Sequence, residues 1–378
     1  MQLFGRNGFT DTQVLDRLQS ENFTYEFEFW HLDSTNKKLR VLDNIVKGSW
    51  SLSYVFDRDT KMTGRGVLEN PTGFSINFYT DRIQPWIWIS MPGAGDDGSS
   101  YAKYPQGIYR FGEDTEETDS VGTKFHSVNI YDLTSLLVFP IIERLSYGKG
   151  ALLTTAVNDL LTAVGLTDSY IIGSSLKFPA NVDWPKGTRR SDIMAELLDQ
   201  LSYEMYASPT GQIIVAPWRD PALVAPGFTF TEGAQGLQFI PARKNTKSFN
   251  RVNFVELTST VPGQEVPLVG RASNTNINDP GSIDSRGVTI ALFENVEAET
   301  QDQIDAMALR RLIEVGTETN AGELETPLFP ALDAASNIIK SAHSKIGFSG
   351  NYFVRQWDAE LKYDGRTKLL IDPVVSID

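Results

Sequence analysis

The 378-residue chain is 41% hydrophobic and 22% charged, the balance of a globular protein of roughly two to three domains. Its formal net charge of −14 argues against general nucleic-acid binding, which needs clustered Lys and Arg, and the absence of cysteine excludes disulfides, thiolate nucleophiles and cysteine zinc sites. No apolar run approaches the roughly 18 residues of a membrane span, and MQLFGRNGFT lacks a signal-peptide core, so a soluble chain made in the cytoplasm is expected.

In chain order, Val14, Leu15 and Leu18 permit one short helix within residues 1–20. FTYEFEFW then alternates at period two, with Phe23, Tyr25, Phe27 and Phe29 on one strand face. Further strands are predicted at 39–45, at 48–56 with Trp50, Leu52, Tyr54 and Phe56 on one face, and at 64–68, 75–79 and 85–90. Asn70-Pro71 and the loop 93–100 mark turns; that loop lacks calcium-ligand spacing and reads as a hairpin tip. Two more strands, 104–111 and 124–131, flank EDTEETDS, which reads as a solvated loop because like charges repel. Short strands at this spacing point to an antiparallel barrel or sandwich.

The middle of the chain changes character. A helix is predicted over 150–164, stopped by Gly165, and a second opens at Ser191, which is placed to cap it. Ile193, Leu197 and Leu201 make the apolar stripe of the second helix, and a hairpin follows, turned at Ser208 to Gly211 and ended by Pro217 and Pro221. A helix and hairpin this short must dock on something else, and the 150–164 helix is the natural partner. Strands resume at 228–240 and 248–259. Residues 261–287, rich in Gly, Pro, Asn and Ser, read as a long loop or arm, and Thr300 with Gln303 opens a helix over 300–315. FPALDAASNIIKSAH suits helix or strand, and strands at 351–357, 360–363 and 367–371, with an Asp364-Gly365 turn, close the chain.

No chemistry-bearing constellation emerges. His31, His126 and His343 are isolated from one another, and no nucleophile elbow, phosphate loop or dinucleotide fingerprint is present. Carboxylate pairs such as Glu26 and Glu28 recur throughout an acidic β protein and single out nothing. Trp86 and Trp88 share one strand face, which suits a sugar-stacking platform or, more simply, a core or subunit contact. No enzyme activity, cofactor or metal is expected.

Several stretches in order resemble the tail-tip or baseplate hub proteins of long-tailed bacteriophages, especially minor tail proteins of actinobacterial phages. The stretches are TDRI and its following strand (80–89), Tyr104, Pro105, Gly107 and Tyr109, and Tyr131-Asp132. Tyr203, Glu204, Tyr206, Pro209 and Gly211 follow, then Asn250 to Val252, Asp279-Pro280 within the arm, the T-x-x-Q helix start and Gly350 to Tyr352. The ALDAASNII stretch departs from the family's glycine-aspartate turn, and no lysozyme-like or peptidase extension is implied.

The resemblance implies a mainly β fold with an α+β insert: a barrel domain at 1–144, a helix-hairpin insert at 145–220 and a second barrel at 221–378. It implies a homotrimer whose six barrels approximate a sixfold ring, with Trp86, Trp88, Asp279 and Pro280 as candidate interface residues. The implied partners are a distal tail ring protein, the tape-measure C-terminus and downstream tail-tip or receptor-binding proteins. DNA would pass the channel without specific binding, and an acidic wall would repel it. The implied role is a structural virion protein at the tail tip that matches sixfold to threefold symmetry and closes the channel until host binding. The alternative is a carbohydrate-binding adhesin of the tail tip.

Overall fold

The computed structural model describes residues 1–20, 23–56, 58–69, 76–231, 237, 239–244, 252–261, 265–277, 279, 281–288, 291–316, 322–335, 337–343 and 348–374. The first helix, α1 (Asp11–Gln19), opens on a capping box in which Thr10 and Gln13 bond each other's backbone N–H. Strands β1 (Tyr25–Leu32), β2 (Lys38–Val41), β3 (Trp50–Val55), β4 (Met62–Glu69), β5 (Arg82–Ser90), β6 (Tyr101–Pro105), β7 (Tyr109–Thr118) and β8 (Lys124–Asp132) follow. The period-two pattern is realised in β3, where Trp50, Leu52 and Tyr54 are all buried. Residues 42–46 then cross from β1 to β4, through Leu42 N–H to Phe29 O and Val46 N–H to Val67 O.

Several expectations in this part fail for local reasons. The strand expected at 104–111 is split, β6 ending at Pro105 and β7 starting at Tyr109, and that expected at 39–45 ends at Val41. Residues 76–80 turn instead of forming a strand, because Asp81 accepts from Asn77 N–H and Asn77 from Tyr79 N–H, bonds that compete with a ladder. The remainder of that expected strand and the Asn70-Pro71 turn lie outside the described residues. The acidic stretch is not a loop: residues 113–118 continue β7 as a ribbon with β8. Cross-strand partners relieve the like charges, with Lys124 Nζ 2.5 Å from Glu116 and His126 Nδ1 2.9 Å from Asp114.

A 3₁₀ turn at Leu133–Val138, capped by Asp132, leads to β9 (Leu145–Tyr147), α2 (Leu153–Ala163), β10 (Ser169–Ile171), β11 (Val182–Trp184), α3 (Arg190–Leu201), β12 (Tyr203–Ala207) and β13 (Ile213–Pro217). Helices α2 and α3 share a core in which Leu160, Leu161, Ile193, Leu197 and Leu201 are buried. Ser191 is not the cap. The N-cap is Arg189, with no side-chain bond, and Ser191 lies inside the first turn, its hydroxyl toward Asp192. At the other end Ser202 takes the left-handed conformation (φ 53°) usually left to Gly.

Next come β14 (Phe228–Thr231), β15 (Phe239–Lys244), β16 (Phe254–Ser259), β17 (Val269–Ser273), the single turn α4 (Ile283–Arg286), β18 (Ala291–Val296) and α5 (Gln301–Gly316). The expected arm at 261–287 is therefore partly ordered as β17 and α4. One of its glycines serves close packing: a Cβ on Gly270 would sit 2.5 Å from Ile304 O of α5. β19 (Gly322–Pro327), β20 (Ile338–His343), β21 (Phe348–Leu361) and β22 (Arg366–Pro373) complete the chain, which resolves the ambiguous 329–343 stretch as irregular chain followed by a strand. The two strands expected at 351–357 and 360–363 are one, bulged where Arg355 enters a buried ion pair with Asp372 at 2.8 Å.

The protein is mainly β. One 14-stranded sheet runs β15-β19-β22-β21-β3-β4-β8-β7-β5-β1-β2, with β6 on β5, β20 on β21 and β14 on β20. The two ends of the chain meet in it through β21 and β3, which pair antiparallel from Gln356↔Val55 to Leu361↔Trp50. A main core spans this sheet, a second fills the α2–α3 unit, and a third lies between α5 and the β17-β16-β18 sheet.

Candidate functional site

Strand β5 sorts its residues by parity. Ile83, Ile87 and Ile89 enter the core, while Trp86 and Trp88 stand half-buried on the outer face. Register places Glu28 and Pro105 beside Trp86, and Glu26 and Lys103 beside Trp88. Trp30 and Trp86 pack with centroids 4.5 Å apart, and Trp88 and Tyr101 with centroids 5.6 Å apart. Lys38 Nζ lies 3.6 Å from the Trp30 ring centroid and Lys103 Nζ 4.7 Å from that of Trp88. Glu28 accepts from the Trp30 indole and Glu26 from the Tyr101 hydroxyl. The indole N–H groups of Trp86 and Trp88 are enclosed and donate to no described atom.

This face is a mixed aromatic and charged surface. Lys38 and Lys103 thus lie over the rings of Trp30 and Trp88, and Trp30 packs against Trp86. Trp30, Tyr101, Lys38 and Lys103 escaped sequence reasoning because strand register, which aligns them, is not written in any one strand.

Asp279 lies in the β17–α4 loop of a different sheet and is buried. Its carboxylate accepts from Asn274 Nδ2 at 2.6 Å and Gly281 N–H at 2.9 Å, so it shapes that loop. Pro280 lies outside the described residues.

Several of the residues that carried the resemblance lie at joints, among them Asp81, Gly107, Asp132, Pro209 and Gly211. Asp81 takes His31 Nε2 at 2.7 Å and so pins the turn before β5 to β1. Asp132 accepts from Met62 N–H and from the backbone and hydroxyl of Thr134, and burial lifts its carboxyl above the ordinary range. The Ser208–Gly211 turn docks on the first unit: Pro209 O accepts from Gly107 N–H at 3.1 Å and from Gln84 Nε2 at 3.2 Å. Gly107 (φ +100°) and Gly211 (φ +91°) both need the conformation that glycine permits, and a Cβ on Gly211 would meet Ile108 Cδ1 at 2.6 Å.

A cleft of about 420 Å³ opens between the first unit, α3 and α5, lined by Phe56, Lys61, Met194, Trp218, Arg310 and Arg311 among others. Two of its arginines are engaged: Arg310 Nε is 2.8 Å from Glu314 and its Nη1 donates to Tyr203 O at 3.2 Å, and Arg311 Nη1 is 3.5 Å from Glu314. Among the described residues no group of three or more His, Asp or Glu side chains is placed to hold a metal. No described helix is long and apolar enough to cross a membrane.

The fold is one shared with solved phage tail proteins. Solved structures with this fold include a tail protein from Neisseria meningitidis, with TM-score 0.61 and 13% identity over 92% of this chain and 96% of that one. The 43 kDa tail protein of the MuSo2 prophage from Shewanella oneidensis gives 0.58 and 12%, over 93% and 100%. A chain of the Francisella PdpA-VgrG complex gives 0.55 and 10%, over 95% of this chain and 60% of that one. At these identities the likeness is one of fold, and at that level it bears out the resemblance to tail-tip and baseplate hub proteins. No family model matches the sequence, and no curated protein matches it either.

Proposed function

We propose that the protein is a non-enzymatic, structural component of a phage tail tip: a homotrimeric hub, made in the host cytoplasm and carried in the virion. In this reading it matches a sixfold tail tube to a threefold tip and closes the channel until host binding. The observation that carries the reading is the fold likeness over almost the whole length of both this chain and two tail proteins. The domain division is part of the proposal: barrels at 1–144 and 221–378, joined edge to edge by β3 and β21, with the 145–220 insert docked through the Pro209 turn. The outer face bearing Trp86 and Trp88 would be a subunit or neighbour contact, and the 279–280 segment a second one. Its partners would be the distal tail ring protein, the tape-measure C-terminus and receptor-binding proteins of the tip.

The test is the mass of the purified chain, alone and mixed with the distal tail ring protein, by light scattering and native mass spectrometry. A trimer that binds a hexameric ring is expected. A strict monomer that binds no tail component would refute the reading.

A further inference from the structure

Two exposed surfaces of opposite charge are left unused by the joints described above. The first is the far half of the β7–β8 ribbon. Residues 112–118 are all exposed, and this half carries Glu113, Asp114, Glu116, Glu117 and Asp119 against Lys124 and His126. Its turn is fixed: Asp119 accepts from the N–H groups of Val121 and Thr123, and Gly122 has φ +89°. The turn holds Val121 at the tip, 83% exposed. On its inner side β8 pairs with β4 from Phe125 to Tyr131, while residues 112–118 of β7 have no second partner strand among the described residues, so this half presents an open sheet edge that gains from a partner.

The second surface is the rim where residues 138–144 run antiparallel to 185–190, with Ile141 N–H to Thr188 O at 2.8 Å and Gly187 N–H to Ile141 O at 3.0 Å. Phe139 (52% exposed) and Ile142 (73% exposed) stand here among Lys186, Arg189 and Arg190, with Glu143 beside them and Arg144 paired to Asp183 at 2.8 Å. Arg190 Nη1 donates to the carbonyls of Phe139 and Pro140, which holds its guanidinium at the rim. In a chain of net charge −14, a basic and apolar patch of this kind is a local exception.

We infer that the acidic ribbon of one copy docks on this rim of a second copy, with Val121 against the exposed apolar residues and the ribbon carboxylates facing Lys186 and Arg189. The contact cannot form within one chain as it stands. Arg110, at the root of the ribbon, packs over the Phe139 ring at 5.4 Å, so the rim lies where the ribbon starts and the tip points away from it. A ribbon-to-rim contact is heterologous, using different surfaces on the two copies, and closes into a ring of three when each copy is turned by a third of a full rotation from the last. The inference rests on the trimeric reading and names the contact that holds the trimer.

The experiment compares the full-length wild type with Glu113→Lys/Glu117→Lys, with Lys186→Glu/Arg189→Glu, and with all four changes combined. Oligomer mass is measured across concentration at low and high salt, and circular dichroism verifies folding, which exposed substitutions leave intact. Each two-residue variant is expected to weaken self-association by about tenfold or more, and the four-residue charge swap to restore it. Wild-type association should also fall as salt rises. A wild-type trimer matched by both two-residue variants, or a four-residue variant no better than either, overturns this contact and leaves the hub reading standing. A wild type that stays monomeric at every concentration overturns the contact and counts against the hub reading as well.

Discussion

Replacing Leu197 with alanine tests how the chain is divided. Leu197 is fully buried on α3 within the core shared with α2. Removing three carbons forfeits about 2.4 kcal/mol of transfer free energy at roughly 0.8 per CH₂. The cavity left behind raises the cost to about 3–5 kcal/mol. How far this moves the melting temperature depends on the size of the unit that unfolds, because the unfolding entropy near 60 °C is about 2.1 cal/mol/K per residue. If the insert of about 75 residues melts alone, a loss of 3 kcal/mol lowers its transition by about 19 °C. If all 378 residues melt together, the same loss lowers the single transition by only about 4 °C. Calorimetry with hydrogen exchange separates the cases. The proposed division expects a large drop in one transition, with lost protection in α2, α3, β12 and β13 and unchanged protection in β21 and β22. One transition shifted by a few degrees, with protection lost evenly, would refute the reasoning.

Gly66 lies beneath the Trp50 indole, where a Cβ would fall 2.1 Å from ring carbon; Gly66→Ala should destabilise by about 1–3 kcal/mol, and an unchanged melting temperature would show that the ring can move. Arg355→Met leaves the Asp372 carboxylate, 1% exposed, without this guanidinium. The expected loss is about 3–5 kcal/mol in denaturant titration, and Arg355→Met/Asp372→Leu should recover much of it; equal losses would argue against a charge-burial penalty. The pH response should differ by region. Asp97, held low chiefly by Lys103, and Asp119, held low chiefly by the Thr123 N–H, stabilise their turns above the ordinary value of 3.8 and lose that contribution as pH falls through the lower folded values. Burial raises Asp199 and Glu297 at the α3–α5 boundary, so stability there is fullest below the ordinary carboxylate values and declines as pH rises through the raised ones. Exchange protection followed against pH checks both signs, and parallel responses in the two regions would contradict the assignment.

Local pattern made much of the fold readable. The alternation of Trp50, Leu52 and Tyr54 and the stripe of Ile193, Leu197 and Leu201 each bury the face their spacing predicted. The Thr300–Gln303 helix start was legible for the same reason, since Gln303 N–H donates to the Thr300 hydroxyl one turn away. Where a segment's fate rests on a distant neighbour, the reading went astray. EDTEETDS looked like a loop until Lys124 and His126 stood across from it, and the glycine-bearing 261–287 segment looked like an arm until α5 lay against Gly270.

The candidate surface shows the same limit. Trp86 and Trp88 were visible as a pair because they are two residues apart on one strand. Trp30, Tyr101 and the lysines over the rings join them only through the pairing of β1, β5 and β6. Asp279 stood out in sequence, yet its carboxylate serves its own loop.

By itself, the sequence determined the elements whose hydrogen bonds and apolar faces are set within a few residues, along with the acidic, cysteine-free character of the chain. Tertiary structure alone decided that both ends of the chain share one sheet through β3 and β21, that the Pro209 turn locks onto Gly107, and which side chains meet on the outer face. Those outcomes depend on register and on contacts between residues far apart in the chain. The free energy of such contacts exists only once the pieces are packed, so no local window of sequence carries it.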